Sequence, residues 1–286
     1  MNKIFLKKLF LFPTLISCIL IHLNLYSIEK ITIIAENDWY HYSSDQVLNH
    51  PGYAYELTKL VFENINLKNK LYELDLQYDS YENCYLKALS GEVHGCFDTA
   101  QLKENESLFL FHKKPLFTDE IVIYQLKKNK NIKLKSFIDL EKSHLNIGYT
   151  KGYQYGDEFD MNNGIKKIPF AKDSAGLKEL QECSQNKISK KNCSIDGFVM
   201  YKKVGDVIFN IFSDLEKKVF DASTSFRNVS FYISFTKEPK TNNVNMKQLI
   251  HNFDVSLDNI VNKKSNQETQ NKYKSIYLKY FGENPH

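Results

Sequence analysis

Ile31-Thr32-Ile33-Ile34-Ala35-Glu36-Asn37-Asp38-Trp39-Tyr40-His41-Tyr42-Ser43 is the stretch that decides the fold of this chain. Its first five residues form a short β-branched run that reads as a buried strand. The residues after it are polar and aromatic together, as in a loop at a strand's carboxyl end, which is where open α/β sheets bind ligands. Further along, Leu57, Leu60 and Val61 fall at helical spacing within residues 53–64, and Gly52 marks the turn before them. Residues 71–78 alternate Leu74 and Leu76 with polar neighbours and read as a second strand. A short helix over 81–89 stops at Gly91, and 93–98 reads as a third strand. This βαβαβ order predicts a mostly parallel sheet with helices on its faces.

The pattern then repeats. Ile121-Val122-Ile123-Tyr124 is a strand, and the basic, asparagine-containing stretch 127–135 is a connector. A helical turn at 137–140, a strand at 145–149, a helix start at 155–160, a strand at 165–170, a helix at 174–183 and a strand at 195–200 make a second βαβαβ unit. Two such units predict two lobes. The chain returns through a strand at 231–235 and ends in helices at 246–260 and 273–281.

Composition and the N-terminus narrow the function. The 286 residues, 42% hydrophobic and 25% charged, suit a globular protein with one large core or two smaller ones. Arg227 is the only arginine, so bidentate carboxylate clamps are nearly unavailable. Lys3, Lys7 and Lys8 precede an apolar run over 9–25, the pattern of a secretory signal. A membrane anchor competes, since a span needs roughly 20 apolar residues, but Pro13, Ser17, His22 and Asn24 interrupt the run. Leu25-Tyr26-Ser27 suits cleavage after Ser27. Leu15-Ile16-Ser17-Cys18 resembles a lipobox, yet the apolar residues after Cys18 differ from the usual polar start of a lipoprotein. The expectation is a periplasmic or secreted protein. Removing residues 1–27 takes three lysines and no acid from a formal net charge of +4, leaving +1. Near-neutrality argues against a nucleic-acid partner.

Export also bears on Cys84, Cys96, Cys183 and Cys193, an even number in an oxidising compartment. Spacing suggests the pairs Cys84–Cys96 and Cys183–Cys193, although four cysteines allow three connectivities, and buried free thiols are the alternative. Cysteine and histidine spacing gives no metal site, and no motif for a cofactor is present.

Gly52-Tyr53-Ala54-Tyr55-Glu56-Leu57, Leu89-Ser90-Gly91-Glu92-Val93-His94-Gly95, the stretch from Gly152 to Phe159, and the closing Tyr273-Lys274-Ser275-Ile276-Tyr277-Leu278-Lys279-Tyr280-Phe281-Gly282 occur in that order. Read with the order of elements, they resemble the family 3 extracellular solute-binding proteins of amino-acid ABC importers over residues 31–282. The resemblance implies a type II periplasmic-binding-protein fold. Two α/β lobes would be joined by two hinge-crossing strands, here 121–125 and 231–235, and close over a small polar solute. It further implies residues 28–125 plus 231–286 as lobe 1, residues 126–230 as lobe 2, a monomer, and a membrane permease as partner. An enzyme of the periplasmic dehydratase type, with an acid or base such as Glu36, Asp98 or Glu104, is the alternative, as is a ligand-sensing module.

The candidate contacts follow from strand ends. Trp39 and Tyr40 are placed to stack on a ligand, and Asp98 and Thr99 end the third strand. Tyr153, Gln154 and Tyr155 precede a helix whose free N–H groups suit an anionic group. Asp173 or Ser174 reads as a helix N-cap and Glu56 as a partner of a helix dipole. In the family, an arginine holds the ligand's carboxylate and an aspartate its ammonium. Here Asn105 stands nearest the first position, with Lys103 as a point-charge substitute, and Tyr201 stands at the second. The resemblance therefore implies a small polar solute that need not be a standard amino acid.

Overall fold

The computed structural model describes residues 28–44, 50–67, 71–126, 133–184, 193–212 and 220–285. The expected signal segment, with Cys18 and Ser27, and most of the basic connector lie outside them.

The chain begins with β1 (Glu29–Glu36), the short strands β2 (Asp38–Trp39) and β3 (Ser43–Ser44), α1 (Tyr53–Asn66), β4 (Tyr72–Asp79), α2 (Tyr81–Ser90) and β5 (Gly95–Ala100). It continues through α3 (Lys103–Leu108), β6 (Leu110–Phe111), β7 (Phe117–Leu126), α4 (Phe137–Ser143), β8 (Asn146–Thr150), α5 (Asp157–Asp160), β9 (Lys166–Phe170) and α6 (Asp173–Ser184). It ends with β10 (Gly197–Tyr201), α7 (Lys202–Phe212), β11 (Phe220–Ala222), β12 (Arg227–Phe235), α8 (Met246–Val261) and α9 (Gln267–Phe281).

The strands lie in the order β4-β1-β5-β12-β7-β10-β8-β9. β1 is parallel to β4 and β5 on either side, and β8 is likewise parallel to β9 and β10. The two halves are thus built alike around an antiparallel pair, β12 and β7. This is the two-lobed α/β architecture expected from the doubled βαβαβ order. The crossing itself sits earlier in β7 than residues 121–125: Phe117 to Ile121 pair with Phe231 to Arg227. Beyond it, Ile121 to Gln125 pair with β10, and β12 from Phe231 to Phe235 pairs with β5.

Strand β1 explains why its sequence is so uniformly apolar. Ile31, Ile33 and Ala35 face the core made with α1 and α8, including Leu57, Val61 and Phe253, while Ile34 faces α2 on the other side. A strand covered on both faces cannot alternate with polar residues. Helix α2 has the boundaries its sequence announces. Ser80 Oγ accepts from Asn83 N at 3.3 Å at the start, and Gly91 closes it at φ 78°.

Gly52 has a more specific task. It sits at φ 103°, and a Cβ there would lie 2.2 Å from the Tyr42 carbonyl oxygen. Its absence lets α1 dock directly on the loop after β1. Tyr53 N donates to His41 O at 2.9 Å and Ala54 N to Tyr42 O at 3.0 Å. That loop carries Trp39, so the helix start fixes the aromatic end of the site.

Candidate ligand cleft

The carboxyl ends of the parallel strands of both lobes converge. Glu36 ends β1, Asp98 and Ala100 end β5, Tyr153 and Gln154 follow β8, and Tyr201 ends β10. With Trp39, Tyr81 and Phe231 they line one small cavity of about 10 Å³ between the lobes. Trp39 is its aromatic floor. It is 2% exposed, with ring centroids 4.8 Å from Phe231, 5.4 Å from Tyr201 and 5.6 Å from Phe117. It is therefore both packed in the core and part of the cleft.

The lobes are bound to each other across this cavity. The Tyr153 hydroxyl donates to a Glu36 carboxylate oxygen. Asn105 Nδ2 donates to Gln154 Oε1 at 2.6 Å, and the Lys172 ammonium meets Asp38 at 3.1 Å. Within lobe 2, Tyr201 OH donates to Gln154 O at 2.7 Å, which holds the Gln154 backbone in place.

The site's electrostatics are one-sided. Glu36 and Asp98 are 3% and 4% exposed, and among the described residues no lysine, arginine or histidine lines the cavity. Burial pushes the Glu36 carboxyl well above the usual carboxylate range, the charge of Asp38 adds to this, and the Tyr153 hydrogen bond opposes it. Burial raises Asp98 to about 7, against a hydrogen bond from Ser43. Asp173, outside the lining, also rises to about 7 through burial, against a hydrogen bond from Thr150. Asp98 Oδ1 and the Trp39 indole N–H are buried with no hydrogen-bond partner among the described residues.

Of the sequence candidates, Trp39, Asp98, Tyr153, Gln154 and Tyr201 line the cavity together, and Asn105 joins its edge through Gln154. Tyr40 and Thr99 do not line it. Tyr40 is buried in the core, and the Thr99 and Ser234 hydroxyls bond each other at 2.8 Å, tying β5 to β12. Lys103 is exposed on α3, away from the cavity lining. Glu36, Tyr81, Ala100 and Phe231 complete the lining. The strand-end rule that selected Asp98 also applies to Glu36.

Two expectations are corrected. The N–H groups before α5 are not free for a ligand, because Tyr155 N and Gly156 N both donate to Asp160 Oδ2, at 2.9 and 2.8 Å. Asp173 does not cap α6 through its side chain, since its carboxylate accepts from the Thr150 hydroxyl of β8. Glu56 lies in the first turn of α1 and pairs with Lys279 at 2.6 Å. Cys84 and Cys96 lie at disulfide distance with Cα atoms 5.3 Å apart, and so do Cys183 and Cys193 at 5.6 Å. Among the described residues, no group of three or more His, Cys, Asp and Glu side chains is arranged to hold a metal ion.

This geometry defines the class of two-lobed, periplasmic-binding-protein-like folds. Solved structures share it across most of the chain. A histidine kinase sensor domain with similarity to periplasmic binding proteins matches with a TM-score of 0.69 at 14% identity, covering 89% of this chain and 97% of that one. An ABC uptake transporter substrate-binding protein from Streptococcus pneumoniae with bound histidine matches at 0.67 and 15%, covering 90% and 94%. A P235GK mutant of ArgBP from T. maritima matches at 0.65 and 17%, covering 89% and 96%. No protein-family model and no curated protein sequence matches the chain.

Proposed function

We propose that the chain captures a small solute between its lobes by hinge closure and hands it to the membrane permease of an ABC importer. The observation that carries this reading is the convergence of strand ends from both lobes on one cavity, with Tyr153–Glu36 and Asn105–Gln154 hydrogen bonds closing it. A cleft of that kind gains its ligand affinity by enclosing a small molecule on all sides. Structural neighbours that hold histidine and arginine support it. In this reading residues 28–125 plus 231–286 form lobe 1 and 126–230 lobe 2, with the hinge at the crossing of β7 and β12. The mature chain works as a monomer, periplasmic or secreted, after cleavage near Ser27. No helix among the described residues is long and apolar enough to cross a membrane.

Binding is favoured over catalysis because the cavity lining holds carboxyl, amide, indole and phenol groups but no Ser, Cys, Lys or His. The sensor-domain neighbour keeps ligand sensing as a second reading of the same cleft. A thermal-shift screen of the mature protein across amines, amino acids, organic acids and sugars tests both, since a ligand bound by the folded state raises the melting temperature. A flat response across all four classes sinks the solute-binding reading. Co-purification with a permease separates transport from sensing.

A further inference from the structure

The cationic side chains that would receive a carboxylate are missing from the cleft lining or already paired, and the one unpartnered donor there among the described residues, the Trp39 indole N–H, is neutral. Arg227, the chain's only arginine, is 41% exposed and pairs with Glu158 at 3.4 Å. Lys103 is exposed outside the lining, and Lys172 is held by Asp38. The backbone N–H groups of Tyr155 and Gly156 are filled by the chain's own Asp160. An entering carboxylate would meet buried acids and no donor of positive charge, which is costly in a site of low dielectric.

The opposite charge is provided for. Glu36 and Asp98 are both more than nine-tenths buried in the lining, and Asp98 Oδ1 has no hydrogen-bond partner among the described residues. Around them stand the rings of Trp39, Tyr81, Tyr153 and Tyr201. A carboxylate beside aromatic faces is the arrangement that stabilises a desolvated organic cation. The buried acids also have a physical cause here: an ammonium supplies the counter-charge that the protein does not place there.

We propose that the ligand is a small organic cation lacking a carboxylate, its ammonium held by Glu36 and Asp98 within the aromatic lining. This rests on the solute-capture reading and names its substrate class. One ionised carboxylate per ammonium leaves the closed site neutral, so a diamine engages both acids and a monoamine one.

The test is isothermal titration calorimetry of the mature protein with pairs differing in the carboxylate: agmatine against L-arginine, cadaverine against L-lysine and putrescine against L-ornithine. Choline serves as a quaternary probe, and glucose and succinate as uncharged and anionic ones. The expected result is that at least one amine binds about tenfold or more tighter than its amino acid. In the D98N variant that binding should be lost, with the melting temperature of the free protein not lowered. Equal or tighter binding of the amino acids, or binding of succinate or glucose alone, overturns the cation proposal and leaves solute capture standing. No binding by any probe overturns the cation proposal, and a flat response in the wider screen separately overturns solute capture.

Discussion

The Tyr153 hydroxyl, on the loop after β8, donates to the carboxylate of Glu36, the last residue of β1, and so ties lobe 2 to lobe 1 across the cleft. Removing the hydroxyl in Y153F leaves the buried Glu36 carboxyl without its partner, which costs about 1–3 kcal/mol. The expected result is a population shifted toward open lobes. Small-angle scattering should show a larger radius of gyration for Y153F than for the parent, and Trp39 emission should move to longer wavelength. An unchanged radius would remove the latch role from Tyr153.

The cleft acids make stability depend on pH in a defined direction. Burial pushes Asp98 and Asp173 up to about 7 in the folded chain, against an ordinary value of 3.8. The folded state therefore binds more protons than the unfolded one between those values, and stability falls as pH rises through that window. Each contributes on the order of 4 kcal/mol of destabilisation once ionised. Buried His112 and His41 act in the opposite sense, with folded values lowered by burial to about 3 and about 4. Their contribution is lost as pH falls below the ordinary histidine value. Melting temperature should peak on the mildly acidic side and fall toward pH 8. D98N should flatten the alkaline limb, and an equally steep limb in D98N would contradict the assignment.

The cysteine pairs give a covalent prediction. Cys84 lies on α2 and Cys96 on β5, the strand that carries Asp98. A bridge closing a loop of this size is worth about 3 kcal/mol. Non-reducing peptide mapping should recover Cys84 with Cys96 and Cys183 with Cys193, and C84S/C96S should lower the denaturant midpoint by a corresponding amount. Free thiols at all four positions would refute the pairing.

Much of the fold was legible because its signals are local. The β-branched run before Glu36, the helical spacing of Leu57, Leu60 and Val61, and Gly91 after α2 are each set by neighbours in sequence. The register of the crossing was not, since residues 117–126 are apolar along most of their length and pair with β12 at one end and β10 at the other. Helix α7 was missed because Gly205 and the β-branched Val204, Val207 and Ile208 are weak helix formers. Gly205 is there because a Cβ would lie 2.4 Å from the Tyr124 ring. In the site, the strand-end rule found Asp98 but took Thr99 with it, although adjacent residues of a strand point to opposite faces. The capture of the Tyr155 and Gly156 N–H groups by Asp160 depends on backbone geometry that no spacing reveals.

If an ammonium is the ligand, binding must be linked to protons. Asp98 holds its proton up to about pH 7 in the free protein because burial opposes its charge. The groups that feel its charge are Glu36, Tyr42 and Tyr81, none of them cationic, and Ser43 supplies its hydrogen bond. A bound cation favours the ionised form, so the site releases protons on binding and affinity rises with pH between about 5 and 8. The limiting slope is about one decade of affinity per pH unit for each proton released. Calorimetry at fixed pH in two buffers of different ionisation enthalpy measures that number directly. The expected value near pH 6 is clearly above zero and no more than two protons, and it falls at higher pH as Asp98 ionises in the free protein. A release that is nil at pH 6, with tight amine binding, would mean that the ammonium is held by the aromatic faces without the carboxylates.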